Sequence, residues 1–244
     1  MEWSDDAIVL SVRALGETSA IVEALTRTHG RHLGVVRGGA SRTRRPVLQP
    51  GNSVHVQWRA RLSEHLGNFT IEPLRLRAGE MLEHASALAG LNAFASIAAV
   101  LPEREPHEPV YEAGEILLEA MREDGFEHWA PLYVRWEVGV LDALGFGLDL
   151  SRCAATGTND DLRYISPRTG RAVSGEAGAP YAERLFALPP FLLGSQNASP
   201  TREEIAAALR LTEHFILERL LKPHGRDLPA SRARLDALAT RESE

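Results

Sequence analysis

The chain of 244 residues has one cysteine, Cys153, and one lysine, Lys222. A single thiol cannot close an internal disulfide, so a disulfide-stapled secreted fold is excluded and a reducing compartment is expected. Aromatic residues make up only 6 % of the chain, thin for a surface that works by stacking many bases. No uninterrupted apolar run approaches a membrane span. The segment Ala85–Leu101 comes closest, but it holds Gly90 and Asn92 and reads as a buried helix. The opening MEWSDDAIVL sets three acids where a secretory leader is positive, so no leader and a cytoplasmic location are expected. GxSxG, HExxH, P-loop and GxGxxG patterns are missing as well. The adjacent acids Asp160–Asp161 read as a solvated turn. No catalytic residue, no enzymatic activity and no cofactor are therefore expected.

Against these absences stands an uneven charge. The net value of -6 conceals a balance of +3 over residues 1–80 and of -9 over residues 81–244. From Ala24 to Ser63 there is no acid and there are eight arginines. The near absence of lysine is equally compatible with a GC-rich genome, but that bias does not remove acids from one forty-residue stretch.

The first part of the chain reads as short strands: Ala7–Arg13, Thr18–Thr26, Arg31–Arg37, Gly51–Arg61 and Asn68–Leu74, separated by glycine-bearing or polar turns. In the fourth, Val54, Val56 and Trp58 alternate with His55, Gln57 and Arg59, so the first set faces a core and the second faces out. Five such strands suit a small barrel, OB-type in the economical reading, with an SH3-like barrel as competitor. From Gly79 the composition becomes helical: Glu80–Leu101, Val110–Arg122, Pro131–Leu144, a short helix at Tyr181–Leu188, and a helix starting at Ser199–Pro200 and running through Leu221. The expected fold is thus β plus α in two domains. A five-stranded OB-type barrel over residues 1–78 precedes an all-helical domain over 80–244, which carries a small zinc-finger-like insert over 151–180.

The strongest chemical feature is the loop Arg37–Gly38–Gly39–Ala40–Ser41–Arg42–Thr43–Arg44–Arg45. Glycines allow a partner close approach, and guanidinium forks match phosphate oxygens. Arg59 and Arg61 on the next strand, and Arg27 and Arg31 before the loop, extend the basic surface. The bland counterpart is a solvated loop whose arginines serve solubility. The continuous acid-free field favours a sequence-independent, salt-sensitive phosphate partner.

The segment Ser151–Arg152–Cys153–Ala154–Ala155–Thr156–Gly157, with Ser174–Gly175–Glu176–Ala177 about twenty residues on, has the outline of a two-part zinc knuckle. Only Cys153 is a zinc ligand among the four outline positions; Thr156, Ser174 and Ala177 are not. No metal is expected there, and Cys153 reads as a small buried residue.

These features meet in a resemblance. AIVLSVRALGETSAIVEALTRTHGRHLGVVRGGASR, LQPGNSVHVQWRAR, YVRWEVGVLDALGFGLDLSRCAATG and DDLRYISPRTGRAVSGEAGAP together resemble the RecO family of bacterial DNA repair and recombination mediators, over nearly the whole chain. The resemblance implies an N-terminal OB fold, a helical C-terminal domain, and a zinc site in some members that is degenerate here. It implies binding to single- and double-stranded DNA, annealing of complementary strands, and association with RecR and with the C-terminal tail of the single-stranded DNA-binding protein SSB. A functional link to RecA and a nucleoid-associated cytoplasmic location follow from the same likeness. It places Arg13, Arg37, Arg42, Arg44 and Arg45 on or near the DNA face, and points to Tyr133, Arg135 and Trp136 for a partner contact. Arg219, Lys222, Arg226, Arg232 and Arg234 form a second basic supply. An OB-fold adaptor for RNA or ribosome assembly remains the alternative on residue pattern alone.

Overall fold

The computed structural model describes residues 1–123, 125–194 and 199–240. The elements in chain order are β1 (Glu2–Leu15), β2 (Ser19–Thr26), β3 (Gly30–Val36), β4 (Ser53–Arg59), β5 (Asn68–Arg75), α1 (Ala78–Met81), α2 (Ala85–Ala98), α3 (Glu108–Glu123) and α4 (Phe126–Ala143). There follow β6 (Leu162–Ile165), β7 (Ala172–Ser174), α5 (Gly175–Gly178), β8 (Phe186–Ala187), α6 (Arg202–Phe215) and α7 (Ala230–Thr240). Compactness divides the chain into Met1–Asp124 and Gly125–Glu244.

In the first unit β1 is long enough to serve two neighbours. Glu2–Ile8 pairs with β4 and Ala7–Leu15 with β2, and an irregularity between Val9 and Ser11 bends the strand from one partner to the other. The strand order is β1-β2-β3-β5-β4, with β4 returning to β1 to close the barrel. Inward side chains Ala7, Val9, Val22, Ala24, Val36, Val54, Val56, Trp58, Phe69 and Ile71 form its core, with Leu48 from the β3–β4 loop. Gly34 is a packing requirement, since a Cβ there would lie 2.4 Å from the Phe69 ring.

The expected fold class, a five-stranded OB-type barrel followed by an all-helical domain, needs correction on two counts. One seam of the ring is not a ladder: β3 meets β5 in parallel through the single pair Val35↔Asn68. The C-terminal end of β3 touches only the beginning of β5, so these strands overlap tip to tip. The second unit, moreover, is not all-helical, because β6, β7 and β8 form a three-stranded sheet in the order β7-β6-β8. Strands of four, three and two residues are too short to show a period in sequence.

The change to helical composition at Gly79 falls inside the first unit. Outward residues Ile8 and Leu10 of β1 are buried. α3 comes close at Gly114, where a Cβ would stand 3.0 Å from Phe94 and 3.4 Å from Ile8. Arg77, 2 % exposed, ties barrel to helix. It donates to Ser53 Oγ at 2.6 Å, Glu115 Oε2 at 2.6 Å and Glu119 Oε2 at 2.8 Å. The single helix expected over Glu80–Leu101 is two, α1 and α2, with a turn between them.

In the second unit α6 begins at Arg202, after a capping box in which Thr201 Oγ1 accepts from Glu204 N and Glu204 Oε2 accepts from Thr201 N. The cap is thus Thr201, two residues beyond the expected Ser199. The helix continues from Ile216 to Leu221 as a π-helix. Residues Ala179–Arg184 form a 3-10 turn leading into β8, in place of one short helix. Among the described residues no helix is long and apolar enough to cross a membrane.

Candidate nucleic-acid interface

The nine arginines singled out by sequence divide into three groups. Arg27 is held by Glu108 at 2.7 Å and Glu112 at 2.6 Å. Arg31, its side chain 15 % exposed, is held by Glu23 at 2.5 Å and also donates to Leu101 O at 2.7 Å. Those two are corrected as free phosphate donors: Arg27 is paired with acids 81 and 85 residues away, and Arg31 with Glu23, the acid just ahead of the acid-free stretch.

Arg37, Arg44 and Arg59 form the second group. They converge on a groove of about 510 Å³ bounded by Val36 at the end of β3 and by Asn68–Ile71 of β5, with Glu2 its only acid. Arg59 projects there because β4 alternates as its sequence predicts, Trp58 inward and Arg59 outward. Arg44 is anchored: its Nη1 donates to Ile71 O at 2.7 Å, leaving its other donors to the groove. The loop carrying it folds on itself through Ser41 O, which accepts from Arg44 N and Arg45 N.

The third group, Arg13, Arg42, Arg45 and Arg61, is exposed but lies outside the lining of the groove. Among the described residues no carboxylate lies within salt-bridge distance of these four, nor of Arg37, Arg44 and Arg59. The acid-free stretch therefore keeps unneutralised cations on one unit, while Arg27 and Arg31 serve its framework.

In the second unit the expected partner trio separates. Tyr133 and Trp136, 0 % and 2 % exposed, pack inward, which corrects them as partner contacts. Their spacing on α4 already marks a buried stripe. Beneath them Glu137 and Arg232, both fully buried, pair through two bonds of 2.6 and 3.1 Å. Thr212 Oγ1 donates to the same carboxylate, and Arg232 Nη2 donates to Leu209 O at 2.8 Å. This pairing takes Arg232 out of the second basic supply. Arg135 alone of the trio faces outward. It donates to Phe191 O at 2.7 Å and lines an opening of about 570 Å³ with Pro131, Leu132 and Phe191.

Two family models match, "Recombination protein O N terminal" over residues 1–77 and "Recombination protein O C terminal" over residues 82–227. DNA repair protein RecO of Sinorhizobium medicae is 51 % identical over 100 % of this chain and 99 % of its own length. The protein of that name from Cereibacter sphaeroides strain ATCC 17023 is 52 % identical over 99 % and 100 %. The one from Xanthobacter autotrophicus is 51 % identical over 96 % and 95 %. The chain belongs to the RecO family. The family models meet between residues 77 and 82, at the end of the barrel strands, whereas the compact units meet at 124/125 because α1–α3 pack with the barrel.

The degenerate knuckle of this RecO-family chain replaces ligands by hydrogen bonds. Cys153 Sγ, 1 % exposed, accepts from Ser174 N at 3.2 Å and Ser174 Oγ at 3.4 Å. Burial pushes the thiol up, but donors from Ser174 and Thr156 outweigh it and hold it at about 6. Two of the outline positions thus point protons at the sulfur. That donor set does not fit zinc, which needs electron pairs there. Among the described residues no group of three His, Cys, Asp or Glu side chains could hold a metal ion.

What sequence reasoning overlooked is the start of β1. Trp3 stands across from Trp58 in the β1–β4 register, and its ring stacks on His29 with centroids 4.1 Å apart. An isolated tryptophan before two aspartates gives no local sign of this; the signal lies in the strand pairing.

Proposed function

We propose that the first unit holds the phosphate backbone of DNA in the groove between Arg37, Arg44 and Arg59, with Arg13, Arg42, Arg45 and Arg61 as a flanking field. The observation that carries this reading is the convergence of three uncompensated guanidiniums from β3's end, the following loop and β4 on one groove with one acid. Such contacts position a strand without reading its sequence.

As a RecO-family member the chain is a non-catalytic DNA repair protein that acts as a recombination mediator. An annealing protein breaks no bond: it offsets phosphate repulsion and lets base pairing deliver the free energy. In this reading the chain binds single- and double-stranded DNA and anneals strands coated with SSB. It works with RecR so that RecA loads, in the nucleoid. The Arg135 opening, apolar at Pro131, Leu132 and Phe191 and cationic at Arg135, suits the acidic, hydrophobic tail of SSB.

The test is annealing of complementary SSB-coated oligonucleotides by wild type and by Arg37→Ala/Arg42→Ala/Arg45→Ala/Arg59→Ala. Salt-sensitive annealing that is lost in the variant supports the groove. Wild-type annealing by the variant would sink it.

A further inference from the structure

Beside the arginine groove, and sharing Glu2 with it, the first unit has a second opening of about 540 Å³. Trp3, His29, His32, Trp58 and Arg104 line it. Its wall is a column of rings. Trp58 and Trp3 lie nearly parallel with centroids 5.6 Å apart, and His29 lies flat on Trp3 at an interplanar angle of 8°. His29 is fixed in that plane by Asp5, whose Oδ2 receives Nδ1 at 2.9 Å while also accepting from Thr28 N and Thr28 Oγ1. The end ring keeps 34 % of its side chain open.

At the edge of the column stands His32, 5 % exposed and edge-on to both tryptophans. Its Nδ1 is buried without a hydrogen-bond partner; the neighbouring backbone of Leu33 lies close without completing a bond. The column is thus backed by a polar imidazole sealed in the wall of the cleft. Burial and the nearby Arg104 cation push His32 down to about 4, so the imidazole is neutral at pH 7 and can either accept or donate. Arg104 completes the mouth. Its φ is 64°, a left-handed backbone rare outside glycine, and its Nη2 donates to the carbonyls of Glu64 and His65.

We propose that this cleft receives one unstacked nucleobase of the bound DNA strand. The base stacks on His29, the open end of the ring column, and Arg104 meets the adjoining phosphate. This rests on the reading of the arginine groove as the backbone's path, and the shared Glu2 sets base and backbone side by side. A base fits better than a phenyl ring from a partner protein, because the stack stands beside the phosphate path and Arg104 offers a cation to the phosphate that a nucleotide brings with it.

The test compares the full chain's affinity for a short oligothymidylate and for an abasic deoxyribose-phosphate strand of equal length and charge. Wild type is expected to favour the base-bearing strand roughly tenfold. His29→Ala is expected to bind both strands alike with unchanged salt dependence, and His29→Phe, which keeps a ring, to retain the preference. A single 2-aminopurine in the strand is expected to lose fluorescence on wild type. Equal wild-type affinity for the two strands, or a preference that survives His29→Ala, overturns the base cleft and leaves the groove standing. Binding of neither strand overturns both.

Discussion

Replacing Arg37 and Arg59 by alanine separates arginines that face solvent from arginines that the fold has already neutralised. Both line the groove without a carboxylate within salt-bridge distance, so each is expected to displace one counterion from a bound single strand. At about 0.7 per phosphate contact, the slope of log K against log salt becomes shallower by about 1.4 in the double variant. Between 50 and 200 mM salt, wild type then loses about sevenfold more affinity than the variant does. Arg27→Ala is the internal control. Its guanidinium already serves Glu108 and Glu112, so removing it leaves the slope at the wild-type value. Fluorescence anisotropy of a labelled oligonucleotide, titrated at four salt concentrations, measures all three proteins. A wild-type slope in Arg37→Ala/Arg59→Ala refutes the groove as the phosphate path. A slope made shallower in Arg27→Ala refutes the argument that acid pairing removes an arginine from the interface.

Three further outcomes are expected. Glu137→Leu leaves the buried Arg232 only its longer contact to Asp236 at 3.4 Å and is expected to destabilise by about 3 kcal/mol in urea unfolding, while Glu137→Leu/Arg232→Met recovers most of that loss; an equally unstable double variant contradicts the account. His32, held near 4 against an ordinary 6.5, resists protonation only when folded. Its contribution is therefore full above pH 6.5 and declines as pH falls to about 4, by at most about 3 kcal/mol; His32→Leu should flatten the acid side of the stability profile, and an unchanged profile rules the effect out. Thr201→Ala removes one half of the α6 capping box and is expected to lower stability by about 1 kcal/mol, read as a shift in the thermal midpoint; no shift argues that the cap is redundant.

The strands were legible where burial is one-sided. β4 shows this well, because Val54, Val56 and Trp58 are buried while Gln57 and Arg59 are exposed, as a period of two requires. β1 was legible only from Ala7 to Arg13, since its first residues pair with β4 and carry acids whose partners lie 24 and 49 residues on: Asp5 orients His29 and Asp6 bonds His55. The candidate site was legible as a charge field and not as a geometry. Counting acids along the chain marked the cations of Arg37–Arg45, which have no carboxylate within salt-bridge distance among the described residues, but it could not see Glu108 and Glu112 folding back onto Arg27. For Tyr133 and Trp136 the helical period and the family likeness pointed opposite ways, and burial agrees with the period. In the knuckle, loss of ligands was plain in sequence. That hydroxyls and an amide would take over the sulfur was not, because Ser174 reaches Cys153 only across a turn of twenty residues.

The thin seam between β3 and β5 gives Arg44 two attachments. Where a ladder would have continued, its guanidinium is what reaches the Ile71 carbonyl on β5. A phosphate entering the groove draws on that same group. In the proposed reading the wall and the ligand are therefore thermodynamically linked: the N–H held by Ile71 fixes the guanidinium whose remaining donors face the groove, so a change at the seam is felt as a change in affinity.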